Sequence, residues 1–163
     1  MTHSLRTTII RLPGTLLKGY YRAALWPTRL APLFELGLRF YLARVFFRSG
    51  LTKITTWDST LYLFNDVYQV PLLSPTHAAI LATTGELGLS VLLVIGLFGR
   101  FATAGLFILN LVAVISYADL SPAGLNQHES WGLLLGTLLI LGHWSWSLDR
   151  LIQRPRLAPP QLH

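Results

Sequence analysis

Residues 77–98 read HAAILATTGELGLSVLLVIGLF, an apolar run broken by one formal charge, Glu86. At about 1.5 Å per residue such a run, if helical, spans the ~30 Å hydrocarbon layer of a bilayer. The composition of the whole chain points the same way. Among 163 residues, 52% are hydrophobic and 12% charged, with mean hydropathy +0.51. Soluble domains carry about 25% charged residues, so half that share does not cover a water-facing surface. Residues 33–54, 101–118 and 130–148 are three further stretches of bilayer length. Their apolar residues come in blocks rather than in ten-residue alternation, which predicts helices and not a barrel. The expected fold is all-α: an integral membrane four-helix bundle forming one domain.

The loops orient this bundle. Five basic residues (Arg6, Arg11, Lys18, Arg22, Arg29) precede the first span, Arg100 sits in the short turn between the second and third, and Arg150, Arg154 and Arg156 follow the fourth. The 55–76 and 119–129 connections carry acids and no Lys or Arg. The positive-inside rule then places both termini in the cytoplasm of a multi-pass bacterial inner-membrane protein. Residues 1–32 are basic and aromatic, are broken by Pro13, Gly14, Pro27 and Pro32, and suit the headgroup region. Residues 33–152 form the transmembrane domain and 153–163 a short cytoplasmic tail. The 55–76 connection is too apolar for water, since Leu61, Leu63, Phe64, Val67, Tyr68, Val70, Leu72 and Leu73 all need burial. A short helix capping the outer mouth of the bundle would bury them.

Charge inside the spans marks the candidate site. An arginine near the bilayer centre costs ~2.5–3.5 kcal/mol on insertion scales, so Arg39, Arg44 and Arg48 would together cost roughly 7–10 kcal/mol without partners. Glu35 and Arg39 are four apart and can neutralise each other along the first span, and Lys53 can snorkel to the outer interface. Counted from the outer ends, Arg44 lies about 15 Å deep, Arg48 about 9 Å and Glu86 about 13 Å. Asn110 falls at a similar depth on the third span, and Thr83 and Ser90 share a face with Glu86. This depth match predicts a polar layer of Arg44, Arg48, Glu86, Asn110 and Thr83. Two deep arginines against one glutamate leave it net positive, which favours an anionic ligand or a charge that grows on reduction. The alternative is a buried ion cluster that only fixes helix register.

Other chemistries have little support. The chain has no cysteine, which excludes disulfides, thiolate metal sites and dithiol relays. No phosphate-cradling glycine loop or nucleophile elbow occurs. His77 and His128 with Asp58, Asp66 and Glu129 lack metal-ligand spacing, so no metal is expected. His143 lies between apolar and aromatic neighbours and reads as a packing residue. Basic residues adjoin apolar segments, so the expected partner is the lipid bilayer and not nucleic acid.

Two stretches carry a family resemblance. ARVFFRSGLTKITTWDSTLYLF (residues 43–64) resembles the first-span signature of the DoxX family of small bacterial inner-membrane proteins. PLLSPTHAAILATTGELGLSVLLVIGLFGRFAT (residues 71–103), with Glu86 in its GEL triplet, is similar to the companion signature. The ending WSLDRLI, with Ser147 and Asp149, looks like the family's SLD tail, and His128 and Trp131 fall where relatives often carry His and Trp. The resemblance covers about residues 36–152. It implies a redox-accessory subunit, since some relatives are small subunits of thiosulfate:quinone oxidoreductase, named DoxD. The implied ligand is a quinone or small anion, with no covalently bound cofactor. Other relatives accompany oxidative-stress or metal-peptide systems, which implies instead a non-catalytic scaffold that recruits a protein partner or forms a homo-oligomer. A small transporter is a third class, and it would need oligomerisation to make a pathway.

Overall fold

The computed structural model describes residues 14–142 and 144–153. His143, the basic N-terminal residues before Gly14 and the tail from residue 154 lie outside the described residues. Two compact units divide the chain at residues 31 and 32. In the first, residues 14–31 are helical. The second, from Pro32 onward, holds the remaining helices, the core and the candidate site.

All regular structure among the described residues is helical: α1 (Gly14–Thr55), α2 (Trp57–Asp66), α3 (Pro75–Ile95), α4 (Gly99–Ser116), α5 (Pro122–Leu141) and α6 (Leu148–Gln153). α3 and α4 are long and apolar enough to cross a membrane. A short helix does form in the 55–76 connection, as α2, and Phe64 is buried there, but Leu63, Leu72 and Leu73, expected to be buried, stay exposed because only part of the connection packs against α3. α3 and α4 start two residues before the expected spans, but two boundaries need larger corrections. α1 does not begin at residue 33, and Pro27 and Pro32 lie inside it. Each proline forfeits one backbone hydrogen bond, and the Ala-, Leu- and Arg-rich turns around them carry the helix through. α5 occupies Pro122–Leu141 rather than 130–148. Ser121 caps it, its hydroxyl accepting from the Gly124 amide at 3.1 Å, with Pro122 preset for the first turn. Most of the expected 119–129 loop, His128 included, is therefore helical.

One core joins α1, α3, α4 and α5: Leu42, Ala43 and Phe46 meet Leu93, Ala102, Leu106, Leu135, Leu138 and Trp144. On α1 the spacing 39, 42, 46, 49, 53 is a three-four repeat, so Arg39, Leu42, Phe46, Ser49 and Lys53 lie along one inward stripe. α3 and α4 interlock reciprocally. A Cβ at Gly85 would meet Leu109 at 2.9 Å, and one at Gly105 would meet Leu89 at 2.6 Å, so each glycine is the hole for the other helix's leucine.

The end of the fold where α1's stripe begins is locked by polar contacts. Arg39 is fully buried. Its Nη2 donates to Glu35 Oε1 at 3.2 Å, its Nη1 to the Trp146 carbonyl at 3.0 Å, and its guanidinium lies 5.0 Å from the Trp144 ring. Glu35 Oε1 also accepts from the Trp144 amide at 2.9 Å. The SLD tail closes the same end. Both carboxylate oxygens of Asp149 accept, from the amides of Phe98 (3.0 Å) and Gly99 (3.1 Å). They thereby cap α4, whose own N-cap, Phe98, has no side-chain acceptor and a left-handed φ of 48°. Gly96 ends α3 at φ 67°, and a Cβ there would strike Ser147 at 2.6 Å, so only glycine fits this turn.

Glu35→Ala should cost about 3–5 kcal/mol by stranding the Arg39 guanidinium, and Glu35→Ala with Arg39→Met should regain part of it. Thermal melting of the detergent-solubilised chain, followed by tryptophan fluorescence, checks this. A Glu35→Ala melting point equal to wild type would contradict it.

Candidate functional site

Glu86 is paired, with a partner other than the expected one. Lys53 Nζ lies 2.8 Å from Oε1 and 2.8 Å from Oε2 of Glu86, and 2.8 Å from Ser49 Oγ. The ammonium's three donors are all engaged. Lys53 therefore does not snorkel outward. Its side chain is 20% exposed and that of Glu86 12%. The reason is azimuth. Lys53 continues the inward stripe of Arg39, Leu42, Phe46 and Ser49. Arg44 is nine residues before Lys53, about half a turn away around the helix, and Arg48 is nearly as far. Both arginines are exposed. A backbone constraint draws α1 and α3 together here: a Cβ at Gly50 would meet Leu87 Cγ at 2.8 Å and Glu86 Cβ at 3.3 Å.

The other expected members of the layer go elsewhere. The Thr83 hydroxyl donates to the Ala79 carbonyl within its own helix at 2.7 Å. Asn110 clips α4 to α5, its Nδ2 donating to the His128 carbonyl at 2.9 Å and its Oδ1 lying 2.8 Å from His128 Nδ1. With the Asn110 amide turned this way, Nδ1 of His128 carries the proton. His128 also packs edge-on against Trp131, ring centroids 5.1 Å apart. The single predicted layer thus resolves into three arrangements: the Lys53–Glu86 pair, the Asn110–His128 clip and the outward Arg44–Arg48 face.

A cavity of about 470 Å³ opens beside the Lys53–Glu86 pair. Phe64, Tyr68, Val70, Pro71 and Leu73 of the 55–76 segment line one side, and Ala78, Leu81, Ala82, Leu109, Val112 and Ser116 of α3 and α4 the other. Glu86 lines it; Arg44, Arg48, Asn110 and Thr83 do not. The segment is fixed over it by two hydrogen bonds: the Thr60 hydroxyl to the Lys53 carbonyl at 3.0 Å, and the Gln69 amide to the Ser116 carbonyl at 2.9 Å. Tyr68 packs edge-on between Phe64 and Tyr117, at 5.0 and 5.4 Å. Ser116 is 3% exposed, and among the described residues its hydroxyl has no hydrogen-bond partner. Because Lys53 balances Glu86, the cavity's fixed charge is zero rather than positive. Sequence reasoning missed Lys53, Tyr68 and Ser116. The three-four stripe starting at Arg39 was the available signal for Lys53, whereas no local pattern marks Ser116.

Burial pushes the Tyr68 phenol above the ordinary tyrosine range, and Tyr117 and Glu86 push it the same way. The folded chain then holds this proton more tightly than the unfolded one. Stability is unaffected below the unfolded phenol's pKa and falls as pH rises above it, where only the unfolded state ionises freely. Tyr68→Phe should flatten that alkaline fall in melting temperature relative to wild type. Superimposable alkaline limbs would contradict the assignment.

Two helices of bilayer length, a tied-down cap segment, the GEL glutamate and an SLD tail that caps α4 are the features any family assignment has to fit. No curated protein and no solved structure matches the chain. The DoxX family profile matches residues 34–119, more than half its length, from the start of the inward α1 stripe through the last residues of the cavity wall. The chain belongs to the DoxX family and is a membrane protein.

Proposed function

We propose that this protein is a redox-accessory subunit of the bacterial inner membrane whose capped cavity holds a quinone-like ligand. α1, α3, α4 and α5 form a four-helix bundle across the bilayer, both termini are cytoplasmic, and α2 lies at the outer face. The observation that carries the reading is the cavity itself, with one ion pair at its wall and one buried, unpartnered hydroxyl.

Its volume falls within the ~300–1,000 Å³ range of small-molecule sites. Most of its lining is aliphatic or aromatic, which suits an apolar ring and the start of a prenyl tail. The polar groups are few and distinct. Ser116 O–H has no acceptor among the described residues and can donate to a ligand carbonyl. Glu86 keeps lone pairs beyond those facing Lys53, and they can accept a ligand hydroxyl. The site thus offers a donor and an acceptor, as an oxidised and a reduced ring each require. Zero fixed charge disfavours a free anion here, so of the two expected ligand classes the neutral amphipath fits better. When bound, a quinone supplies the two-electron carrier chemistry. The chain's own residues orient the ring, exclude water beneath the cap, and hold a proton near Glu86.

The purified full-length chain should be labelled saturably by a photoreactive quinone on cavity-lining peptides of 64–82 or 108–116, and excess unlabelled quinone should compete. Ser116→Ala should weaken binding about fivefold, the equivalent of one neutral hydrogen bond of about 1 kcal/mol. Non-saturable labelling, or labelling on the Arg44–Arg48 face, would refute the site.

A further inference from the structure

The outward face of α1 repeats the geometry of its inward face. Gly37, Phe40, Arg44, Phe47 and Leu51 follow a three-four-three-four spacing, as Arg39, Leu42, Phe46, Ser49 and Lys53 do on the other side. All five are exposed, Phe40 at 52%, Phe47 at 37% and Leu51 at 44%. Such a spacing is the seam by which one helix packs along another. Among the described residues a Cβ at Gly37 would meet nothing within 4 Å, so this small residue leaves room for a close neighbour. Arg44 occupies the centre of the seam, with Arg48 one turn on. Among the described residues neither guanidinium has an ion-pair or hydrogen-bond partner.

We infer that this face docks a transmembrane helix of a different membrane protein, which presents an aspartate or glutamate to Arg44. The inference rests on the membrane-spanning reading of α1, not on the ligand in the cavity. Depth and charge select the occupant. Arg44 lies about 16 Å from Thr55 and about 18 Å from Pro32 along the helix, midway between the two. At that level neither leaflet's headgroups are adjacent, so the counter-charge has to come from within the membrane. A second copy inserted the same way round and packed symmetrically would set Arg44 against Arg44. One polar residue in an otherwise apolar seam is a device that fixes register and partner choice.

The test uses an Arg44→Lys chain in membranes of the cell that makes it, treated with a membrane-permeant carbodiimide. The reagent activates a buried carboxylate as an O-acylisourea. The amine at position 44 then attacks its carbonyl, forming an amide and releasing the urea. The expected product is a larger covalent species, and peptide mass spectrometry should map its link from position 44 to an Asp or Glu inside an apolar segment of another membrane protein. Gly37→Leu combined with Arg44→Lys should lose that species while the chain accumulates normally, because the new side chain fills the seam from a position whose Cβ has open space around it among the described residues. No adduct, a link to Glu129 of a second copy, or a link to a phospholipid carboxyl would each overturn the inference. Alkaline carbonate extraction of the same membranes separates the two levels. A chain that stays integral without an adduct defeats the docking alone, and a chain that is extracted defeats the membrane reading with it.

Discussion

A cation can be buried among apolar helices only if its counter-charge is buried with it, and this fold satisfies that requirement twice along one stripe of α1. Arg39 is met by Glu35 from its own helix and by the Trp146 carbonyl. Lys53, fourteen residues on and on the same side, is met by Glu86 of α3. The first pair anchors the SLD tail and, through it, the α3–α4 turn. The second ties α1 to α3 beside Gly50, where a Cβ would meet Leu87. Breaking a pair leaves one buried charge uncompensated, which is far costlier than never having had the pair. The chain is thereby restricted to one arrangement of its helices, and the cavity under the cap results from that arrangement.

The cavity joins two kinds of order. Its walls on α3 and α4 are closely packed, with glycines and leucines interlocked. Its cover is a connection held by Thr60 and Gln69 hydrogen bonds and by the Tyr68 ring between Phe64 and Tyr117. A segment fixed at few points over an apolar space opens at lower free energy than the helices beneath it.

Much of this was legible in the sequence. Helical class follows from blocked hydrophobicity, a short helix in the 55–76 connection from its apolar character, and an intra-protein partner for Glu86 from its isolation in an uncharged run. The Glu35–Arg39 pair followed from a spacing of four. The partner of Glu86 was misread because depth alone was weighed. Arg44 and Arg48 match Glu86 in depth, but the azimuth that turns Leu42, Phe46 and Lys53 inward turns those arginines outward. Both coordinates were available in the spacing. The start of α5 was legible too, in Ser121-Pro122, yet the hydropathy of 130–148 outweighed it. Ser116 is not legible: that its hydroxyl lacks a partner among the described residues while lining the cavity is revealed only by the three-dimensional arrangement.

The assignment of Lys53, and not Arg44 or Arg48, as the partner of Glu86 is tested most directly by charge reversal. Glu86→Lys alone sets two ammonium groups side by side and should sharply reduce accumulation and melting temperature in membranes. Adding Lys53→Glu should restore most of both, because the pair re-forms with its ends exchanged. Adding Arg44→Glu or Arg48→Glu instead should restore neither. Recovery with either arginine reversal, and none with Lys53→Glu, would show that the deep carboxylate belongs to the arginine face.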